Sequence, residues 1–233
     1  TNMENIVFYF SGTGNCLKAA KSVIKELGGG EIVSMAKPGK YDLVKQYDTI
    51  GFIYPTYFWG APRKVIEFVN NLNVGNNKNT YFYIIATCGG YSAGAIYTLY
   101  KLLFNKHGVK VNYTKELKMF SNYVVLYDMN KKVHEITEKS DKKLAAIIDS
   151  IKKRENNKIG ILHKIFGSFK MQRELSNIDK NYNVNDNCTG CGICRDVCPV
   201  KNIEMVNGKP HFKNKCEHCI ACIQFCPPKS DQL

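Results

Sequence analysis

Two cysteine runs near the end of the chain constrain its fold more than any other feature. Each run has the spacing C-x2-C-x2-C-x3-C-P, first over residues 188–199 and again over residues 216–227. Thiolates at the first three positions can bind three corners of one iron–sulfur cubane, while the fourth cysteine of each run binds the other cluster. The repeated spacing therefore predicts two [4Fe–4S] clusters.

The same spacing groups these cysteines into two ligand sets. The first set takes three ligands from the first run and one from the second: Cys188, Cys191, Cys194 and Cys226. The second set reverses this arrangement and consists of Cys216, Cys219, Cys222 and Cys198. Structural zinc and disulfides are the alternatives. Zinc would leave the third and fourth cysteines of each run without a role. Over almost its whole length, this segment resembles the bacterial two-cluster ferredoxins.

The rest of the chain is too long to belong to the same module. A ferredoxin module fills only the last part of the 233 residues, so we expect two domains. The formal net charge is +13, yet each oxidised cluster with its four thiolates would carry about −2. The basic character therefore lies in residues 1–157, which hold 22 Lys and Arg against 13 Asp and Glu. Because these charges are scattered, without interleaved aromatic residues, we expect either a solvated face or an acidic protein partner, and no nucleic acid.

A glycine-rich loop follows the first apolar run of the chain. Residues 6–10 predict a strand, and a helical pattern begins directly after the loop. Backbone N–H groups at the start of a helix bind anions, and glycines let the chain approach a phosphate closely. The loop lacks both the third glycine of the dinucleotide motif and the Gly-Lys-Ser/Thr of an ATP-binding loop, so we expect it to bind a terminal phosphate monoester. The expected phosphate-binding residues are Ser11, Gly12, Thr13, Gly14, Asn15 and Cys16.

This loop resembles the FMN-phosphate loop of flavodoxins, Ser/Thr-x-Thr-Gly-x-Thr/Ser. Ser11, Thr13, Gly14 and Asn15 match its pattern. Cys16 stands where a hydroxyl is usual, so only its backbone N–H is expected to contribute. The resemblance implies an α/β fold: a flavodoxin-like, doubly wound five-stranded parallel sheet of order 2-1-3-4-5, joined to a small α+β two-cluster ferredoxin domain. It also implies FMN as a cofactor beside the two [4Fe–4S] clusters.

Two further apolar runs, Thr49–Tyr54 and Thr80–Thr87, have the length of strands buried on both faces of a parallel sheet. In such sheets ligands bind beyond the carboxyl ends of the strands. In flavodoxins the loops after these strands enclose the isoalloxazine ring, which implies stacking by Trp59 and Tyr91. The alternative is that Trp59 packs in a core and Tyr91 caps a helix. The expected flavin-binding residues are Pro55, Thr56, Tyr57, Phe58, Trp59 and Gly60 in one loop, and Thr87, Cys88, Gly89, Gly90 and Tyr91 in the other.

The remaining pattern sets the expected domain boundaries. A second strand is expected at Glu31–Ser34, a fifth from Val109, and helices at 62–72, 93–106 and 132–156. We expect a flavodoxin-like FMN-binding domain at 3–157, a partly helical connecting segment at 158–182 and the ferredoxin domain at 183–233.

The connecting segment carries a helical apolar stripe between basic residues, which is too apolar for a flexible linker. We expect it to dock the ferredoxin segment against the flavin domain, and a partner-binding helix is the alternative. Residues 119–123, Met-Phe-Ser-Asn-Tyr, resemble a stretch found in clostridial-type flavodoxin–ferredoxin fusion proteins.

These two kinds of redox centre imply electron transfer. FMN exchanges electrons singly or in pairs and a cubane exchanges one at a time, so we expect a carrier that relays low-potential electrons between FMN, the clusters and soluble redox proteins under anaerobic conditions. The alternative is an FMN-dependent NAD(P)H or quinone reductase that uses the clusters as an electron exit. No catalytic residue is expected, and the scattered histidines, including His218 between two ligands, are expected at the surface.

Thiolate-ligated iron suits a reducing compartment. The chain begins without the basic, apolar pattern of a leader, and its longest apolar stretches fall well short of the ~20 residues that span a bilayer. We therefore expect a cytoplasmic protein.

Overall fold

The computed structural model describes residues 4–123, 132–168, 178–227 and 231–232. Its larger part is a parallel sheet with the strand order β2-β1-β3-β4-β5. The strands are β1 (Asn5–Tyr9), β2 (Glu31–Ser34), β3 (Thr49–Pro55), β4 (Tyr81–Cys88) and β5 (Val111–Lys118). The helices of this part are α1 (Asn15–Glu26), α2 (Arg63–Asn70), α3 (Ala95–His107), α4 (Val133–Lys152) and α5 (Ile161–Ser168). The doubly wound order expected from the resemblance is confirmed.

Helices cover both faces of the sheet, and the central strands supply two separate cores. Every residue of β4 is buried. Phe82 and Ile84 belong to the core beneath α2 and α3, whereas Tyr83 and Ile85 belong to the core beneath α1 and α4. Alternate side chains of one strand are thus buried on opposite faces, which explains why β4 is continuously apolar rather than alternating.

The sequence pattern overextended the last large helix. A helix was expected over 132–156, but α4 ends at Lys152. Arg154 then adopts a left-handed conformation, and Asn157 pairs with the edge strand β5. The Asn157 side chain accepts a hydrogen bond from Thr114 N at 2.9 Å and donates one to Thr114 O at 2.6 Å. The Asn157 side chain thus pairs with the free edge of β5, as a further strand would. This tertiary interaction follows the end of the helix.

The connecting segment packs on the larger part through close backbone contact. A Cβ added to Gly94 would lie 2.7 Å from Gly167 Cα, so the backbones at the start of α3 and the end of α5 are in direct contact. His163 Nδ1 in α5 hydrogen-bonds to the Ala93 carbonyl at 2.7 Å. This face of α5 therefore lies on the flavodoxin-like part. The domain boundaries expected at residues 157 and 182 stay predictions.

The C-terminal part is a small α+β unit. It consists of a 3-10 turn (Ile178–Asn181), β6 (Asn183–Val184), α6 (Ile193–Val197), β7 (Ile203–Val206), β8 (Lys209–Phe212), α7 (Ala221–Gln224) and β9 (Asp231–Gln232). The hairpin of β7 and β8 turns at Asn207 and Gly208, both with positive φ, as expected for an Asn-Gly turn. Its small core includes Cys194 and Cys222. None of the helices in the described ranges is long and apolar enough to cross a membrane.

Gly51 tests the packing between β3 and β4. It pairs with Tyr83, and an added Cβ would lie 2.2 Å from the Tyr83 ring. We expect Gly51→Ala to lower the free energy of unfolding by about 1–3 kcal/mol through overpacking, measured by anaerobic chemical denaturation. Gly39→Ala is the control, because no described heavy atom lies within 4 Å of its added Cβ, and its effect should stay within about 0.5 kcal/mol. Equal stability of the two variants would contradict this account.

Candidate cofactor sites

Three loops meet at the carboxyl edge of the sheet. The pairing of β1 with β3 and of β3 with β4 is parallel and in register up to Tyr9 and Thr87. Hydrogen bonds continue past the strands, from Phe10 N to Ile53 O at 3.0 Å and from Thr56 N to Thr87 O at 2.7 Å. The loops that follow these strands are therefore held side by side. The residues expected to bind phosphate and flavin lie in these loops or at the adjoining ends of β3, β4 and α1.

The first loop is folded as an anion cradle. Ser11 Oγ accepts a hydrogen bond from Gly14 N at 2.9 Å, which leaves the serine hydroxyl hydrogen available to a ligand. Gly14 stands just before α1 with φ 107°, a conformation that glycine adopts without steric cost. Because α1 begins at Asn15, the free N–H groups of its first turn lie at this loop, and they favour a phosphate.

Cys16 points away from this cradle. Its side chain is buried, and its Sγ lies 3.1 Å from Thr87 Oγ1. Burial raises the pKa of the Cys16 thiol to about 12, so the side chain stays a neutral packing group between α1 and β4. Only its backbone N–H remains for the phosphate.

The second loop contains strain and a buried hydroxyl without a partner. Phe58 and Trp59 have positive φ angles of 45° and 62°, which are costly for bulky residues. Thr56 Oγ1 is buried and has no hydrogen-bond partner among the described residues, a state that costs about 1–3 kcal/mol. A flavin heteroatom at this edge would satisfy that hydroxyl, so the residues present fit FMN. Trp59 is 58% exposed and does not pack in a core, which removes the alternative considered for it.

The third loop is held by a carboxylate that sequence reasoning missed. Glu116, on β5, accepts a hydrogen bond from Ser92 N at 2.6 Å. Burial, together with this carboxylate, raises the pKa of Cys88 to about 12. Tyr91 is partly exposed and stacks on His163 of α5, with ring centroids 5.0 Å apart. The expected strand order placed the fifth strand beside β4, and this could have indicated that Glu116 lies near the loop after β4.

The second ligand set is gathered around one cavity in the C-terminal part. Its four cysteines all line this cavity together with apolar side chains: Cys198, Cys216, Cys219 and Cys222. Asn202 N donates to Cys198 Sγ, and His218 N donates to Cys216 Sγ, each at 3.2 Å. Burial raises the pKa of Cys219 to about 12, so its thiolate needs a cation to stabilise it. Four sulfur donors with N–H contacts in an apolar cavity fit an iron–sulfur cluster.

The first ligand set lies closer to solvent. Cys194 is buried, Cys188 and Cys226 are half-buried, and Cys191 is exposed. In both sets, as elsewhere among the residues that the structure describes, no three His, Cys, Asp or Glu side chains are placed to hold a single metal ion. The two sets thus differ in burial, which their identical spacing did not predict.

The second cysteine run lies directly on the phosphate loop. A Cβ added to Gly12 would lie 2.6 Å from Cys219 Cβ and 3.1 Å from the Tyr57 hydroxyl. Asn122 joins both sides, since its side-chain amide donates to Thr13 Oγ1 and its main-chain carbonyl accepts from Gln224 Nε2 at 2.9 Å. The loops that carry the two kinds of redox site are therefore in contact.

The expected surface position of His218 is wrong. The residue is only 5% exposed, its Nδ1 lies 3.0 Å from the Tyr123 hydroxyl, and its ring packs edge-on against Phe58. It is buried because the second run faces the flavodoxin-like part rather than solvent. The resemblance at residues 119–123 carried the signal, since Asn122 and Tyr123 both take part in this contact.

Comparison with known proteins supports both halves of the chain. A family described as a flavodoxin domain matches residues 6–100, and one described as a 4Fe-4S dicluster domain matches residues 180–227. No curated protein matches the chain significantly. The chain is therefore an electron-transfer protein of the FMN and iron–sulfur class. Its domain order is that of a flavodoxin–ferredoxin fusion protein.

Solved structures resemble the flavodoxin-like part at low identity. An FMN-dependent NADH-azoreductase from Bacillus anthracis is 10% identical, with 64% of this chain and 99% of that chain covered and a TM-score of 0.44. A flavodoxin from Streptococcus pneumonia TIGR4 is 15% identical, with 62% and 99% covered and a TM-score of 0.39. A flavoprotein in complex with FMN from Lactobacillus acidophilus NCFM is 13% identical, with 49% and 93% covered and a TM-score of 0.40. The assignment rests on the family matches and not on these similarities.

Ser11 tests the phosphate cradle. We expect Ser11→Ala to weaken FMN binding by roughly tenfold or more, because a hydrogen bond to a charged group contributes about 1.5–3 kcal/mol. Titration of flavin-free protein, followed by quenching of flavin fluorescence, measures this change. Riboflavin lacks the phosphate and is the control, since the variant and the parent protein should bind it equally. Unchanged FMN affinity would rule out this role for the serine.

Cys198 tests the exchange of the fourth ligand between the runs. We expect Cys198→Ala to lower the iron content from about eight towards about four atoms per chain in anaerobically reconstituted protein. Iron and labile-sulfide analysis provides the measurement. Cys88→Ala is the matched control and should retain the full iron content. If Cys198→Ala also retains it, or if the parent protein binds zinc at these cysteines, the ligand assignment is wrong.

Proposed function

We propose that electrons pass within one chain between FMN at the carboxyl edge of the sheet and the cluster of the second set, then to the cluster of the first set and on to a soluble partner. The contact between Gly12 and Cys219 carries this proposal, because it puts the phosphate loop against a ligand of the second set. When bound, FMN supplies one- and two-electron chemistry and the clusters supply one-electron chemistry.

The residues of the chain have distinct roles in this proposal. The phosphate would be held by the loop of Ser11 and Gly14, and the ring would lie between the loops of Trp59 and Tyr91. The second set lies inside the molecule beside these loops. The first set, with the exposed Cys191, is open to an external redox protein.

The basic residues of the larger part favour an acidic partner surface. Residues 1–157 hold 22 Lys and Arg against 13 Asp and Glu, whereas each loaded cluster of the small domain would carry about −2. Such charges accelerate the encounter with an oppositely charged protein, and salt screens the effect. We propose soluble redox proteins with acidic docking surfaces as partners, in a reducing, anaerobic cytoplasm that preserves thiolate-bound iron.

Anaerobic mixing separates the carrier from the reductase. We expect NADH and NADPH to leave the flavin absorbance unchanged, while dithionite or a reduced ferredoxin bleaches both flavin and clusters. Prompt bleaching of the flavin by either nicotinamide cofactor would favour the reductase instead.

Flash reduction of the flavin tests whether the relay lies within one chain. We expect the subsequent reduction of the clusters to follow a first-order rate that does not change when the protein is diluted. A rate proportional to protein concentration would mean that electrons pass between molecules, and the internal relay would be rejected.

A further inference from the structure

The two cysteine runs have left-handed residues at matching positions, but the residues themselves differ. Between the first two cysteines, the first run has Thr189-Gly190 and the second has Glu217-His218. Gly190 has φ 70° and His218 has φ 56°, so the loop requires a left-handed residue at this position in both runs. Glycine adopts this conformation readily, whereas histidine is disfavoured there. The second run therefore has a histidine at a position where the first run forms the same left-handed turn with glycine.

Glu217 caps a helix that belongs to the other domain. Its carboxylate is 7% exposed and accepts hydrogen bonds from Arg63 N at 3.1 Å and Lys64 N at 2.8 Å. These are the first two N–H groups of α2, whose preceding residue, Pro62, supplies no side-chain cap. A carboxylate at this end also interacts favourably with the helix dipole. Arg63 completes the contact by donating from its guanidinium to Cys216 O.

His218 connects the second run to Tyr123 and to the loop that follows β3. Its Nδ1 lies 3.0 Å from the Tyr123 hydroxyl, and its Nε2 lies 3.5 Å from the Tyr182 hydroxyl. The ring is edge-on to Phe58, with centroids 5.3 Å apart. The side chain at the strained position is thus surrounded by aromatic residues from both domains. Thr189, which precedes the corresponding position of the first run, is exposed.

We infer that Glu217 and His218 are positioning residues that hold the second cluster loop against the flavin loops and so set the distance over which electrons pass within the chain. This inference rests on the proposed function. The strain at His218 and the desolvation of the Glu217 carboxylate both oppose folding of this loop, and the contacts with α2, Phe58 and Tyr123 offset them. The first run has neither residue, which leaves the first cluster free to meet an external partner.

The first run supplies the test variant. The double substitution Glu217→Thr with His218→Gly gives the second run the residues that already support this loop in the first. We expect the iron and flavin contents and the midpoint potentials to remain those of the parent protein. The first-order rate of cluster reduction after flash reduction of the flavin should fall by about tenfold or more, because the two loops are no longer held in contact.

Two further variants complete the design. Thr189→Glu places the same charge at the matching position of the first run and should leave the rate unchanged; Gly190 is kept, because an added Cβ would lie 2.7 Å from Gly208 O. Arg63→Met removes the guanidinium that contacts Glu217 and Cys216 O from the flavodoxin side, without changing a residue of either cysteine run, and should also slow the rate. It decides the question if the double variant loses iron.

The outcomes separate this inference from the relay itself. A dilution-independent rate in the parent protein, with the same rate in the iron-loaded double variant or in Arg63→Met, would overturn the positioning role and leave the relay standing. A parent rate that depends on protein concentration would reject the relay. A slower rate in the variants, with unchanged potentials and an unaffected Thr189→Glu control, would support the inference.

Discussion

Parallel pairing of β1, β3 and β4 brings the ends of three strands to one edge of the sheet. Each of these strands is buried on both faces, so a slip of one residue would move large side chains from one core to the other, and the register is strongly specified. The same edge carries the phosphate cradle, the strained Phe58-Trp59 turn and the start of α2. Because Gly12, Phe58 and Arg63 all follow these strands, the pairing that forms the proposed flavin site also forms the surface on which the C-terminal part lies.

The sequence supports prediction where local pattern and fold agree. The glycine-rich loop after β1, the fully apolar β4 and the cysteine spacing each have one physical interpretation, and the observed strands differ from the expected ones by a residue or two. The end of α4 was not predictable in this way. The apolar pattern stops at Ile151 and does not mark the end of the helix, whereas the hydrogen bonds between Asn157 and the edge strand show where the chain has left it.

The contact between the domains could not be derived from spacing. Glu217 and His218 look like exposed polar residues in a ligand loop, since the groups that bury them come from α2 and from residues 58 and 123, far away in sequence. Comparison of the two runs with each other held a usable signal. Where a repeated motif requires positive φ, glycine in one copy and histidine in the other indicates that the second copy needs its side chain for something other than the turn.

Departures from local rules are concentrated at this edge. Nine non-glycine residues in the described ranges have positive φ, and five of them lie in the flavin loops or the second cysteine run: Phe58, Trp59, Ala93, His218 and Ile220. Two others are asparagines, which tolerate this conformation. The unpartnered Thr56 hydroxyl and the buried Glu217 carboxylate lie at the same edge. Strain and buried polar groups persist where surrounding structure or a ligand compensates for them, so their grouping on both sides of one interface supports the proposed relay between the two domains.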